Sequence, residues 1–237
     1  MTKLSVNINK IALLRNSRGT SLPDLVEVAL DCIRFGAEGI TVHPRPDERH
    51  IKKSDIPLLK AAIDVELNIE GYPSEDFIQL VLDNQPAQVS LVPDPPNVLT
   101  SDSGWDTRNQ AVFLKEVVSR FKKQRIRVSL FMNPEPELIR YAVDTGADRI
   151  ELYTGIFSRE FEIDSVKAIE LHIQSSEIAD ELGLGLNAGH DLNLRNLRFY
   201  KEEVVKLLEV SIGHAIVCDS LYYGLQNTIQ MYRGKLL

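Results

Sequence analysis

Short apolar, β-branched runs alternate with longer stretches of helical spacing along the chain. The runs are LSVNI (4–8), GITVH (39–43), VELNIE (65–70), QVSLV (88–92), IRVSLF (126–131), DRIELY (148–153), LGLN (184–187) and EVSIGH (209–214). Each has strand length and is rich in Val, Ile and Leu, which predicts parallel strands covered on both faces. Between them, LVEVALDCIRFG (25–36) sets Leu25, Val28, Ala29 and Cys32 at helical spacing. RNQAVFLKEVVSRFKKQ (108–124) does the same with Val112, Phe113, Val117 and Phe121. SVKAIELHIQSSEIADELG (165–183) and NLRNLRFYKEEVVKLL (193–208) read as two further helices.

The punctuation agrees with this alternation. Ser21, Ser54 and Ser74 stand where a hydroxyl can accept from a first-turn N–H, and Pro134 suits a first helical position. Gly36, Gly146 and Gly183 fall where helices should end in a left-handed residue. The junctions Gly36-Ala37-Glu38-Gly39-Ile40 and Gly146-Ala147-Asp148-Arg149-Ile150 repeat one helix-to-strand turn. Eight strand signals separated by helices predict an α/β chain of right-handed crossovers that closes into a (β/α)8 TIM barrel, a single domain over residues 1–237. An open doubly wound sheet is the rival, but its G-x-G-x-x-G turn is missing.

Composition narrows the picture. The 237 residues, 43% of them hydrophobic, suit one barrel, which needs roughly 250 residues. Lys and Arg total 27 against 34 Asp and Glu, a net charge of -7, which disfavours nucleic-acid binding while leaving room for a local cationic pocket. Cys32 and Cys218 lie far apart in apolar surroundings and read as two reduced core thiols. Asn7, Asn9 and Lys10 interrupt the N-terminal apolar stretch, and no run approaches the ~18 residues of a membrane span, so the expectation is a cytoplasmic protein with no membrane partner.

A barrel of this kind builds its site at the C-terminal ends of its strands. Polar residues gather there: Asn7 and Asn9 after the first strand, His43 after the second, Glu70 after the third, Glu151 on the sixth, Asn187 and His190 at the seventh, and Gly213-His214 at the eighth. His50 lies in the loop after the second strand, whereas His172 falls inside a helix and reads as a surface or interhelix residue. Imidazoles and carboxylates around one rim can exchange protons once burial tunes them. Glu70 follows an apolar strand and is a candidate base or acid, with pairing to Arg45 or Arg49 as its alternative. Gly213-His214-Ala215 and Asn187-Ala188-Gly189-His190 are small enough to bring backbone N–H groups to a phosphate. Segments 15–20 and 43–50 add Arg15, Arg18, Arg45 and Arg49, two cationic loops that suit two phosphates. A metal set of His43, Glu70 and His190, or a Schiff base at Lys10, remains open at this level, although no local ligand spacing supports a metal.

VNINKIALLRNSRGT (6–20), GITVHPRPDERHI (40–51), LNIEGYPS (67–74), NAGHDLN (187–193) and SIGHAI (211–216) together resemble the pyridoxine 5'-phosphate synthase family, in order and spacing from the first strand to the last helix. The resemblance implies a barrel with extra short helices, assembled as a homo-octamer, that condenses 1-deoxy-D-xylulose 5-phosphate with 3-amino-2-oxopropyl phosphate and needs neither metal nor cofactor. It implies that His43 and Glu70 accept protons, His190 donates one, and Glu151 stabilises a transition state. It implies further that Asn7, Arg18, Gly213 and His214 hold the amino-ketone phosphate, and that Arg45, His50 and Thr100 hold the deoxyxylulose phosphate.

Two departures from the family pattern stand out. Asn9-Lys10 replaces the Asp-His that helps hold deoxyxylulose phosphate, and Asp191 replaces a glycine after the NAGH histidine. Asn9, Lys10 and Asp191 are therefore candidate substrate contacts of altered chemistry. A sugar-phosphate epimerase on the same fold and a non-catalytic phosphate-binding descendant are the competing readings. The stretch 93–106, with Pro93, Pro95, Pro96, Gly104 and Trp105, is a candidate lid.

Overall fold

Eight parallel strands pair in sequence order, and the eighth returns to the first to close a barrel in the computed structural model, which describes residues 1–94 and 103–237. The strands are β1 (Lys3–Asn7), β2 (Gly39–Val42), β3 (Glu66–Gly71), β4 (Gln88–Leu91), β5 (Arg127–Met132), β6 (Arg149–Tyr153), β7 (Gly185–His190) and β8 (Leu207–Ile212). Closure is carried by the pairing of β1 with β8, from Lys3 opposite Glu209 to Val6 opposite Ile212.

The helices are α1 (Asn9–Arg18), α2 (Leu25–Arg34), α3 (Asp55–Ala62), α4 (Glu75–Asn84), α5 (Ala111–Lys123), α6 (Pro136–Ala142), α7 (Gly155–Glu160), α8 (Ser165–Glu181), α9 (Leu197–Glu203), α10 (His214–Tyr223) and α11 (Leu225–Leu236). Two consecutive helices occupy three of the connections: α1 and α2 after β1, α7 and α8 after β6, and α10 and α11 after β8. These are the extra short helices beyond one per strand. Gly36, Gly146 and Gly183 all take positive φ where helices finish.

Several local expectations change. Asp24, not Ser21, caps α2, accepting from Val26 and Glu27 N–H. Ser74 does cap α4, whereas Ser54 precedes α3 without a side-chain bond. Pro136 rather than Pro134 opens α6. The helix expected over 193–208 shortens to α9, because Leu207 already belongs to β8 and pairs with Leu186. On α5 the buried stripe is Leu114, Val117, Val118 and Phe121, and Val112 is left exposed. Cys32 is buried, but Cys218 sits exposed on α10, so only one of the two thiols belongs to the core.

The largest difference lies inside the barrel. Apolar residues of the strands, such as Leu4, Val6, Ile40, Val42, Leu67 and Ile69, join one core cluster with the helices. The alternate residues face the lumen, and most of them are polar, with Phe131 the apolar exception near the mouth. Contacts between strands that are not neighbours prove this, since they must cross the interior: Lys3 to Glu66, Arg127 to Glu66, Ser90 to Glu151 and Arg149 to Glu209. The strands therefore follow a period of two, apolar outward and polar inward, rather than being apolar on both faces. Where such barrels usually fill their interior with branched apolar layers, this one carries hydrogen-bonding groups from floor to mouth.

Candidate active site

Two carboxyl–imidazole pairs face each other across the lumen mouth. On one wall, Glu70 near the end of β3 lies with its Oε2 3.9 Å from Nδ1 of His43, the residue that follows β2. Asn7 Nδ2 donates to Glu70 Oε2 at 3.4 Å. Asn7 Oδ1 accepts from the Asn9 amide at 3.0 Å, and Asn9 Oδ1 accepts from the His43 amide at 2.9 Å. The first turn of α1 thus fixes the backbone that carries the histidine. On the opposite wall, Glu151 Oε1 on β6, three strands from β3, lies 3.9 Å from His190 Nδ1 at the end of β7. Ser90 Oγ donates to Glu151 Oε2 at 3.3 Å.

His190 is aimed by its surroundings. Its φ of +70° is in the left-handed region, a costly conformation for a residue with a side chain. The ring packs against Phe131 at 4.9 Å and edge-on to Tyr153 at 6.2 Å. Thr154 Oγ1 donates to the carbonyl of the preceding Gly189. Residues 188–190, expected beyond the strand that ends in Asn187, are the last part of β7 itself. Gly189 serves packing there: a Cβ would stand 2.5 Å from the Ser211 carbonyl oxygen and 3.0 Å from Glu151 Oε1.

Burial sets the charges. The Glu70 carboxyl is pushed well above its ordinary range by loss of water, with Glu151 adding to the shift and Arg45 opposing it. Burial also lifts Glu151, to about 8, helped by the charge of Glu209 and opposed by the Ser90 hydroxyl. His43 is lowered well below its usual value by burial and then by Arg45, His50 and His190. Burial lowers His190 as well, while Asp191 and Asp94 pull it back up. His50 falls to about 4 through burial and the cations Arg45, Arg49 and Lys10. The site thus holds neutral imidazoles beside carboxyls that keep their protons unusually long, groups that can pass protons in both directions near neutral pH.

The cations are less available than the sequence suggests. Arg15 is buried in a two-pronged ion pair with Asp55, at 2.8 and 2.9 Å, and pins α1 to the start of α3. Arg45 Nη2 lies 3.1 Å from Asp94, and Arg49 Nε lies 2.8 Å from Asp47, so both arginines are tied to acids other than Glu70. Segment 15–20 is also less of a loop than expected, since α1 runs to Arg18 and Gly19 ends it with φ +65°. Arg18 stands exposed in that last turn. Lys10 is half-buried in the first turn, and Asp191 is exposed just beyond β7. Gly213 directly precedes the first turn of α10, packed so closely on Asn7 that a Cβ would meet its carbonyl oxygen at 2.8 Å. His214 begins that helix and is exposed, with its ring 3.5 Å from the Cys218 sulfur. Thr100 lies outside the described residues, as does most of the candidate lid. Trp105 at its end is fixed in the core, where its Nε1 donates to the Leu91 carbonyl at 2.8 Å. Among the described residues no three His, Cys, Asp or Glu side chains converge as a metal set.

A family model described as pyridoxal phosphate biosynthesis protein PdxJ matches residues 4–236. The chain belongs to the PdxJ family. Curated relatives named pyridoxine 5'-phosphate synthase include those of Flavobacterium johnsoniae, 53% identical over the full length of both chains, and Cytophaga hutchinsonii, 55% identical over 100% of this chain and 99% of that one. Among solved structures, the fold is similar to 3-keto-L-gulonate-6-phosphate decarboxylase from Vibrio cholerae, with TM-score 0.66 and 10% identity over 99% of this chain and 97% of that one. It is also similar to phosphoribosyl anthranilate isomerase from Thermotoga maritima, with TM-score 0.62 and 14% identity over 100% and 98%. These two likenesses concern the barrel alone. PdxJ is an enzyme family, so the chain is an enzyme of pyridoxal phosphate biosynthesis rather than a non-catalytic scaffold. No helix among the described residues is long and apolar enough to cross a membrane.

In this PdxJ-family chain, Ser90, Asp94, Phe131, Tyr153 and Glu209 also shape the site and went unmarked in the sequence. Only Ser90 and Glu209 carried a signal, as polar residues inside otherwise apolar strand runs. Phe131 and Tyr153 look like ordinary core residues until the fold sets them around His190.

Proposed function

We propose that the enzyme condenses 1-deoxy-D-xylulose 5-phosphate with 3-amino-2-oxopropyl phosphate, closing the pyridine ring of pyridoxine 5'-phosphate with release of phosphate and water by His/Glu acid–base catalysis. The observation that carries this reading is the placement of two carboxyl–imidazole pairs on opposite walls of one lumen mouth. Joining an amine to a ketone, dehydrating twice and expelling phosphate needs several proton transfers at one enclosed place. His43 accepts protons as a neutral imidazole, and Glu70 accepts them once it has given up its own, with Asn7 ready to stabilise the anion. His190 donates from its ring N–H, and the protonated Glu151 steadies negative charge as it develops.

Two sets of side chains serve as phosphate anchors. The N-terminus of α10 with Gly213 and His214, together with Asn7 and Arg18, takes the amino-ketone phosphate. Arg45, His50 and Thr100, with Asn9 and Lys10 from α1, take the deoxyxylulose phosphate, and Asp191 borders the donor His190. The roles call for no metal or organic cofactor. Exposed Leu13 and Leu14 on α1 and Leu221 and Tyr222 on α10 support burial against further copies, in keeping with an octamer, which light scattering tests.

The deciding experiment is an assay of the chelator-treated protein with both phosphorylated substrates, following pyridoxine 5'-phosphate and released phosphate. Product from the pair and from neither alone is expected. Binding of both without turnover would overturn the reading.

A further inference from the structure

Below the two reacting pairs, the lumen holds a third carboxyl that the proposed roles do not use. Glu209 on β8 is 4% exposed, and its Oε2 lies 3.5 Å from Arg149 Nη1. The same nitrogen donates to Asn187 Oδ1 at 3.1 Å. Register ties this group to the site, since Glu209 is level with Asn187 on β7 and Asn187 is level with Glu151 on β6. Neighbouring strands lie about 4.8 Å apart, so two steps separate the backbones of Glu151 and Glu209 by about 10 Å, and barrel curvature brings the inward side chains closer. Arg149 precedes Glu151 by two residues and points to the same side of β6. One guanidinium therefore anchors both Glu209 and Asn187 just beneath Glu151.

The neighbours of the two carboxyls differ in charge. Around Glu209 are Arg149 from β6, Arg127 from β5, Lys3 from β1 and the anion Glu66 from β3, which is itself tied to Arg127 and Lys3. Around Glu151 are Ser90 from β4, His190 from β7, Glu70 from β3 and Glu209 from β8, with no cation among them. Two buried carboxyls within reach of each other resist ionising together, and the one beside the guanidinium takes the charge. Glu151 Oε1 has no hydrogen-bond partner among the described residues, which leaves it as the oxygen to carry a proton.

We propose that Glu209, anchored by Arg149, is a positioning residue for Glu151: its carboxylate takes the negative charge of the pair, so that Glu151 meets the substrates still carrying its proton. The proposal rests on the acid–base reading above, in which Glu151 acts in its protonated form. Burial is the main influence on Glu151 and Glu209 the next, while Arg149 and Arg127 oppose the rise that burial imposes on Glu209.

The test is the pH dependence of kcat for pyridoxine 5'-phosphate formation by the full-length protein. Loss of the Glu209 charge in Glu209→Gln lets Glu151 ionise more easily, so the alkaline limb moves to lower pH by about one unit while KM for both substrates stays within about twofold. Glu209→Asp keeps the charge and holds the limb near its wild-type place. A Glu209→Gln profile that superimposes on wild type, or one that is lowered evenly at every pH, overturns the proposal. Should Glu209→Gln fail to fold, Glu209→Ser carries the test: it removes the same charge with a smaller side chain, and an unshifted limb there is equally fatal. Glu151→Gln separates the two levels of argument. Wild-type turnover in Glu151→Gln would sink the acid–base reading itself, whereas low turnover there with an unshifted limb in Glu209→Gln sinks only the role of Glu209.

Discussion

Asn9 Oδ1 accepts a hydrogen bond from the backbone amide of His43 at 2.9 Å, so the first residue of α1 sets the position of a site histidine just beyond the neighbouring strand. Any side chain with an oxygen at this place can accept that bond, and an aspartate would do so as well as the asparagine present. Asn9→Asp should retain kcat within severalfold, and Asn9→Ala should lower it by about tenfold or more as His43 loses its fixed backbone. Steady-state kinetics with both substrates checks this; equal rates in Asn9→Ala and wild type would show that His43 is held by other contacts.

Gly189 has no room for a side chain. An added Cβ meets a backbone oxygen of β8 and the reacting carboxyl of Glu151 together, and the backbone oxygen cannot swing away. Gly189→Ala should cost about 2–4 kcal/mol of stability and displace Glu151. Denaturant melts combined with turnover measure both effects, and a wild-type melting midpoint would refute the close packing of β7 on β8.

Glu151 keeps its proton in the folded chain up to about 8, whereas its ordinary value is 4.5. A carboxyl raised on folding stabilises fully below about pH 4.5, and that contribution is lost as pH rises through the folded value near 8. Glu151→Gln cannot ionise and does not share the loss. The stability of the variant relative to wild type should therefore grow between pH 5 and 8, by an amount on the order of a few kcal/mol. A difference that stays constant over that range would mean that Glu151 is not raised.

His172 behaves in the opposite sense. It is buried between α8 and α9 with Nδ1 2.9 Å from the Tyr200 hydroxyl and edge-on to Phe157, the interhelix one of its two expected places and not the surface. Burial lowers it from 6.5 to about 4. Its contribution to stability is whole above pH 6.5 and is lost as pH falls toward 4, because only the unfolded chain takes up the proton. His172→Gln retains a partner for Tyr200 and should lose less stability than wild type on acidification across that window, by roughly 3 kcal/mol. Chemical melts at pH 7 and pH 4.5 decide it; parallel losses in the two proteins would exclude His172 as an acid-sensitive group.

Local pattern alone determined the eight strands, the main helices and the rim on which His43, Glu70, Glu151 and His190 stand, because strand length, helical spacing and glycine stops are properties of neighbouring residues. Those signals do not encode what a side chain meets across the barrel. Ser90 reaches Glu151 over 61 residues and Asn7 reaches Glu70 over 63, distances in sequence at which no periodicity survives. The same holds for the pairing of Arg45 with Asp94, which sets an acid beside a cation read as a phosphate anchor. The polar lumen was present in the sequence as Ser5, Asn68, Ser90 and Glu209 within apolar runs, but its meaning required closure. Only when β8 pairs with β1 do the inward faces of all eight strands share one enclosed space, and only there does burial lift the carboxyls and neutralise the histidines.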